Sequence, residues 1–431
     1  MMGKKEIFMT PAASFHRQIE TAIDNCAVLC SKEPDVPEHW QMLGRALTDA
    51  ERFEEAGDAL ERFFETGRFF RLKKGIPRLR LRSLWRYRHN RILFAKAYAD
   101  LGAVALNDGD LAGAQRLLML AMREFEREKM DEEYIRAAHC LGTAYRVSGN
   151  FDNAEQLFSF TEKTAQKNGW AFHLAAAKGH LGLISFARER FDDAVRLHKE
   201  SAAVFENAGF VQESAWQKRC AGVSLLFLNR EDDAFSMLNA ALSVFQNHGN
   251  KIYCARLHGD LAAAFSFVKN DEKTLEHAET ALKDALGSQN DAQIADSRFS
   301  LARFKMTCGR EDGTLPSLLT SVSDFYQKKN MIPALAEAQS TLGLYYLHAG
   351  NLEKAESCFR DSLRLEQRLT RLFGQATDYA NLGLVFQKKG NTEQALNCYE
   401  KARDLFVADG NCLLADDICK KLAEIKKVTL P

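Results

Sequence analysis

The sequence predicts an all-α fold of stacked helical hairpins. The first observation is a period. A small residue, mostly after Leu, recurs at Gly44, Gly102, Gly142, Gly182, Gly222, Ala262, Ala302, Gly343 and Gly383, and from Gly102 onward the interval is 40 residues with a single 41. The second is what accompanies it. Twelve residues on stand Ala56, Ala114, Ala154, Ala194, Ala234, Thr274, Thr314, Ala355 and Ala395. Sixteen on stand the mostly bulky Leu60, Leu118, Phe158, His198, Leu238, Ala278, Leu318, Phe359 and Tyr399. The third is helical spacing within a unit: Leu141, Ala144 and Tyr145, then Ala154, Leu157 and Phe158, follow i, i+3/i+4 steps.

Each element follows from local chemistry. Ser14 to Cys30 reads as an amphipathic helix capping the N-terminal end, within residues 1–36. Residues 37–67 form the first repeat, and residues 92–410 carry repeats two to nine. Between the halves of a unit lies a breaker, as at Gly109-Asp110, Gly149-Asn150, Asn270-Asp271, Gly350-Asn351 and Gly390-Asn391. Gly or Asn there takes the left-handed conformation that ends a helix. The second half ends on Gly169, Gly209, Gly249 and Gly410 in register. Asn411 to Ile425 reads as the C-terminal capping helix, within 411–431, its polar face suited to water. A hairpin cannot bury its apolar stripe alone, so hairpins stack. A glycine at the marker lets the paired helices approach, and the alanine twelve residues on acts from the other helix. Constant rotation between hairpins gives a right-handed superhelix, an α-solenoid of about nine repeats.

The pattern resembles the tetratricopeptide repeat. Trp40, Leu43, Gly44, Leu47, Ala56 and Leu60 carry the resemblance in the first unit, Leu342, Gly343, Tyr346, Ala355 and Phe359 in the eighth, and Leu382, Gly383, Phe386, Ala395, Tyr399 and Ala402 in the ninth. It extends over about residues 38–410. Two departures, a 40-residue period and glycine in place of the proline that closes the second helix, resemble a long-repeat subgroup. That subgroup includes kinesin light chains, Leu-Gly-Asn-repeat polarity proteins and bacterial peptide receptors. The resemblance implies a concave face built from first helices, lined by residues six and three before the marker and one and four after it. In repeat three these are Arg136, His139, Thr143 and Arg146; in repeats four and five, Leu183, Phe186, Trp216, Arg219, Val223 and Leu226; in repeats six and seven, Arg256, Asp296, Phe299 and Arg303. Such a groove has an apolar floor ringed by arginines and suits a peptide with apolar anchors and acidic flanks. The alternative is that these side chains pack on the next repeat. The carboxylate clamp of chaperone-binding members is not supported: its Asn before Leu-Gly occurs only as Asn381, without basic partners.

The period breaks once. Gly44 and Gly102 are 58 residues apart, and the excess is RFFRLKKGIPRLRLRSLWRYRHNR, Arg68 to Arg91, with ten Lys/Arg and no acidic residue. Arg78, Arg80, Arg82 and the interleaved Trp85 suit docking of an acidic partner, since the guanidinium fork pairs bidentately with carboxylate. The structural alternative is an extended first helix of repeat two, its arginines paired with acidic residues such as Glu61, Glu65, Asp108 and Asp110. Nucleic acid is not expected from one basic segment in a chain of zero formal net charge.

Composition excludes other classes. At 46% hydrophobic and 27% charged the chain can bury a large core. No apolar run approaches the roughly 18 residues of a membrane span, and the first residues are too short for a secretory core, so a cytoplasmic location is expected. The ten cysteines form no CxxC and read as reduced core residues. The eleven histidines read as scattered, and no catalytic or nucleotide motif appears. Asp192-Asp193 and Asp232-Asp233 open second helices, where the helix dipole favours negative charge. The expectation is a non-catalytic adaptor or scaffold without cofactor or metal, binding a protein or peptide segment. The alternatives are a regulatory peptide receptor and an assembly chaperone.

Overall fold

The computed structural model describes residues 11–34, 36–49, 52, 55–63 and 81–429, and these form helices and no strand. In order they are α1 (Pro11–Lys32), α2 (Pro37–Asp49), α3 (55–63), α4 (Leu81–Asn107), α5 (Leu111–Arg127), α6 (Asp131–Val147), α7 (Phe151–Asn168), α8 (Ala171–Ala187), α9 (Phe191–Asn207), α10 (Val211–Leu226), α11 (Glu231–Asn247), α12 (Lys251–Phe267), α13 (Asp271–Ser288), α14 (Asp291–Thr307), α15 (Leu315–Lys328), α16 (Ile332–His348), α17 (Leu352–Arg368), α18 (Leu372–Lys388), α19 (Thr392–Ala408) and α20 (Cys412–Thr429). The chain divides into two compact units, Met1–Val244 and Phe245–Pro431.

In the first unit α1 packs on α2, and α4, α6 and α8 pair with α5, α7 and α9. In the second, α12, α14, α16 and α18 pair with α13, α15, α17 and α19, and α20 packs on α19. α20 is more than a polar lid. Its Ala415, Ile418, Leu422 and Ile425 join one buried cluster with Tyr399 and Phe406.

The marker glycine is packed from the other helix of its hairpin. A Cβ added to Gly142 would lie 2.8 Å from the ring of Phe158, to Gly343 2.7 Å from Phe359, and to Gly383 2.8 Å from Tyr399. The glycine therefore clears room for the side chain sixteen residues on, which is fully buried in each case. Close-packed interiors tolerate no such overlap. The alanine twelve residues on is buried as well, and its backbone comes close: the carbonyls of Ala114 and Ala234 lie 3.5 and 3.2 Å from a Cβ added to Gly102 and Gly222. Repeat six keeps the volume by exchange: with Ala262 at the marker, position sixteen is Ala278.

The turns repeat as faithfully as the helices. Positive φ recurs at Gly109, Gly149, Glu189, Asn229, Lys269, Gly309, Gly350 and Gly390, and at Lys129, Gly169, Gly209, Gly249, Gln289, Asn330, Thr370 and Gly410. The left-handed residue is thus fixed by position and not always glycine. At the Asn270 breaker it is Lys269 that turns, while Asn270 caps α13 by accepting a hydrogen bond from the Lys273 amide at 3.1 Å. Asn150, Asn351 and Asn391 cap α7, α17 and α19 in the same way.

Repeat seven departs from the expected register. Thr314 and Leu318, expected in the small and bulky slots, are exposed and half-buried. Leu315 and Leu319 are the fully buried pair, one residue later. A long connection, residues 308–314, carries the extra residue that makes the single 41-residue interval.

Part of the basic segment lies outside the described residues: 64–80 entirely, hence Arg78 and Arg80, and the side chains of 81–90, hence Arg82 and Trp85. From Leu81 the backbone is helical and continuous with α4, as the structural alternative requires. Arg91 pairs with Glu124, an acidic partner of the kind the structural alternative expects. No described helix is long and apolar enough to cross a membrane.

Candidate functional site

The first helices of the first unit carry a run of polar and aromatic side chains. At its start, Asp100 on α4 is only 2% exposed. Its carboxylate accepts from Gln41 Nε2 at 3.3 Å and Arg45 Nη1 at 3.4 Å, with Arg136 Nη2 at 3.9 Å. Arg136 is therefore partly committed to an ion pair on the neighbouring helix.

The next residues gather round Phe158. His180 on α8 stacks on that ring, centroids 4.6 Å apart and planes 4° apart. His139 on α6 meets the edge of His180 at 4.6 Å and lies 5.5 Å from Phe158. Burial, then the charges of His173 and Arg146, holds the His139 imidazole down at about 4. Burial holds His180 well below its ordinary value, with His139, Arg146 and His198 adding to the effect. Both rings are neutral at pH 7. Arg146, about two helical turns further along α6, is half-buried, and burial lowers its own pKa. Three polar atoms here are buried without a hydrogen-bond partner: His139 Nδ1, His180 Nδ1 and Arg146 Nε. Thr143 is turned to its own helix, Oγ1 donating to the His139 carbonyl at 3.0 Å.

His198 fills the bulky slot under Gly182, 1% exposed, its Nδ1–H donating to Gln217 Oε1 at 2.8 Å. Burial lowers it to about 4. His173 is lowered as well, chiefly by burial. The histidines that read as scattered therefore converge: His139, His173, His180 and His198 act on one another. His180 and His173 lie off the expected groove positions. The available signal was density, four of eleven histidines between residues 139 and 198.

The remaining positions fall apart chemically. On α10, Arg219 lies over the Trp216 ring, 4.5 Å from its centroid, a cation–π geometry. Phe186 joins Phe191 and Phe227 in an edge cluster at 5.4 and 5.2 Å, with Phe227 56% exposed. Leu226 is buried and belongs to the core, so the groove floor is narrower than expected.

In the second unit Arg256 donates to Gln293 Oε1 at 2.9 Å and lies over Tyr253 at 5.6 Å. Arg303 pairs with Glu337 at 3.3 Å and lies over the buried Phe299 at 5.7 Å. Asp296 accepts from the Tyr326 hydroxyl at 2.9 Å. Asp378 is 1% exposed, and burial raises its carboxyl to about 7 against the opposing hydrogen bonds of Ser362 and Ser340. No cluster of three or more His, Cys, Asp or Glu able to hold a metal occurs among the described residues.

Residues 334–406 match the family model of the tetratricopeptide repeat. No curated protein matches the chain. Among solved structures it resembles a signal-transduction ATPase with numerous domains, carrying a tetratricopeptide-repeat sensor, from Pyrococcus horikoshii: 15% identity, TM-score 0.55, covering 85% of this chain and 55% of that one. The chain thus spans about half the length of that protein. It also resembles the apo form of the quorum sensor NprR from B. thuringiensis (11% identity, TM-score 0.55, 91% of this chain and 99% of that one). A third likeness is to a Rap protein complexed with competence and sporulation factor (13%, TM-score 0.50, 77% and 98%). At such identities these likenesses concern the fold. The recurring hairpin and the glycine that clears room for position sixteen give the chain the fold of the tetratricopeptide repeat, and residues 334–406 carry that family's match.

Proposed function

We propose that the chain is a non-catalytic adaptor that binds a peptide or protein segment on the first-helix face of its first unit. The observation that carries this reading is the cluster on α6 and α8, where His139, His180 and Arg146 hold buried polar atoms without partners. Native interiors rarely leave such atoms unsatisfied. A ligand bearing complementary polar groups satisfies them. Arg136, Trp216 and Arg219 flank the cluster, and aromatic and arginine side chains are the usual anchors of binding surfaces. The exposed Phe227, packed against half-buried Phe186, adds apolar area. Arg256 and Arg303 offer a separate contact in the second unit. The basic segment with Arg78, Arg80, Arg82 and Trp85 serves as a further contact for acidic partners. A cytoplasmic location accords with this role.

A second reading is a regulatory receptor whose state a peptide sets. It is favoured by the likeness to a Rap protein solved with competence and sporulation factor and to a quorum sensor. An assembly chaperone is a variant of the adaptor reading.

Affinity purification with mass spectrometry tests the proposal. The intact chain retains a defined set of partners, and Trp216→Ala with Arg219→Glu lowers their recovery about tenfold or more, as loss of an anchor residue does. Recovery unchanged in that variant removes the first-unit face as the binding surface. Replacing Arg78, Arg80 and Arg82 by Glu tests the basic segment in the same assay.

A further inference from the structure

Arg146 is a half-buried arginine of the first unit that reaches no carboxylate. Arg91, Arg136, Arg188, Arg190 and Arg196 all reach carboxylates. Arg146 makes no ion pair with any described residue, and its Nε is buried without an acceptor. Its charge acts on His139 and His180, whose rings pack against each other and against Phe158. Arg146 and other histidines act on His139 and His180, with no carboxylate among them, and the one acidic group acting on Arg146 is the Cys220 thiol. A half-buried cation without a counter-ion is costly to hold. An anion arriving from outside removes that cost.

Resting on the peptide-binding reading above, we propose that Arg146, in the cluster with His139 and His180, is a seat for one carboxylate of the bound segment. The guanidinium fork matches a planar carboxylate, to which it donates two parallel hydrogen bonds. The two imidazoles turn a neutral rim toward it, and each supplies an N–H or an acceptor according to tautomer. One cation balances one negative charge. A phosphate dianion would leave a surplus charge in a half-buried place, so the carboxylate is the better occupant. The carboxylate comes either from the C-terminus of the segment or from an Asp or Glu side chain.

Thermal unfolding of the intact chain in sodium acetate, sodium phosphate and sodium chloride at matched ionic strength tests the seat. Acetate is expected to raise the midpoint above chloride in the wild type and to lose that effect in Arg146→Gln. Without ligand, Arg146→Gln is expected to be at least as stable as the wild type, because it removes an uncompensated charge; a structural role would make it less stable. Arg146→Lys, which keeps the charge and loses the fork, should bind acetate more weakly. Acetate no better than chloride, phosphate better than acetate, or an acetate effect that survives Arg146→Gln each overturns the seat.

Three synthetic hexapeptide pools then separate the sources. One has a free C-terminus and no acidic residue, one is amidated with a single Asp or Glu, and one is amidated and acid-free. Peptides retained by the chain are quantified by mass spectrometry. The first or the second pool is expected to exceed the third by about tenfold, the scale of one charge-assisted hydrogen-bonded contact, and that excess should vanish in Arg146→Gln. Equal retention of all three overturns the seat and leaves peptide binding standing. No retention of any pool with the acetate effect intact overturns peptide binding and leaves the seat standing.

Discussion

At the scale of single residues the fold depends on volume exchanged between positions sixteen apart. Gly343→Ala puts a methyl group 2.7 Å from the Phe359 ring. Overpacking of this kind costs about 1–3 kcal/mol, against a gain in helix propensity of at most about 1 kcal/mol. Urea denaturation is expected to show net destabilisation. Pairing the change with Phe359→Ala should cost less than the sum of the two single changes, since Ala262 with Ala278 is the natural example of that exchange. Asp378 supplies a pH dependence. Its carboxyl stands at about 7 in the folded chain, against an ordinary 3.8. The folded state therefore holds the proton more tightly than the unfolded state. The Asp378 contribution to stability is greatest below about pH 3.8, falls as pH rises toward 7, and levels off above it. The difference corresponds to on the order of 4 kcal/mol. Asp378→Asn should be more stable than the wild type at pH 8 and close to it at pH 4, as read from denaturation midpoints. Equal differences at both pH values would contradict this.

At the scale of elements, the period located the helices because each hairpin repeats the same steric problem. The marker, the alanine and the bulky residue are one packing unit, so their spacing is visible in the chain. Repeat seven shows where this fails. Its second helix starts late, after the long connection 308–314, and the slots move to Leu315 and Leu319. Counting from the marker could not show this, because the extra residue lies in a turn, where length is cheap. Leu319→Ala is expected to cost about 2–5 kcal/mol as a cavity in a full core. Leu318→Ala, at a half-buried position, should cost under about 1 kcal/mol by the same denaturation assay. The reverse ranking would restore the register counted from the marker. The left-handed turns were half legible for a related reason. Gly169 and Gly410 announce themselves, but Glu189, Lys269 and Thr370 adopt the same conformation because the flanking helices impose it.

At the scale of the whole molecule, the resemblance led to the fold, while the site was legible only in outline. Groove positions counted from the marker reached His139, Arg146, Trp216 and Arg219, which the first unit does place on first helices. They also named Leu226, which is buried, and missed His180, whose ring stacks across to the second helix of the preceding repeat. That stacking is a contact between repeats and has no signature within either one. The basic residues Arg78 and Arg80 lie outside the described residues, so their role rests on charge alone. The central claim is that a partner segment binds on the first helices of the first unit. Hydrogen–deuterium exchange of the chain, with and without the segment that co-purifies with it, tests this most directly. The account predicts that bound segment slows exchange in α6, α8 and α10 more than in α7 and α9. Protection confined to the second helices, or none in residues 131–226, would contradict it.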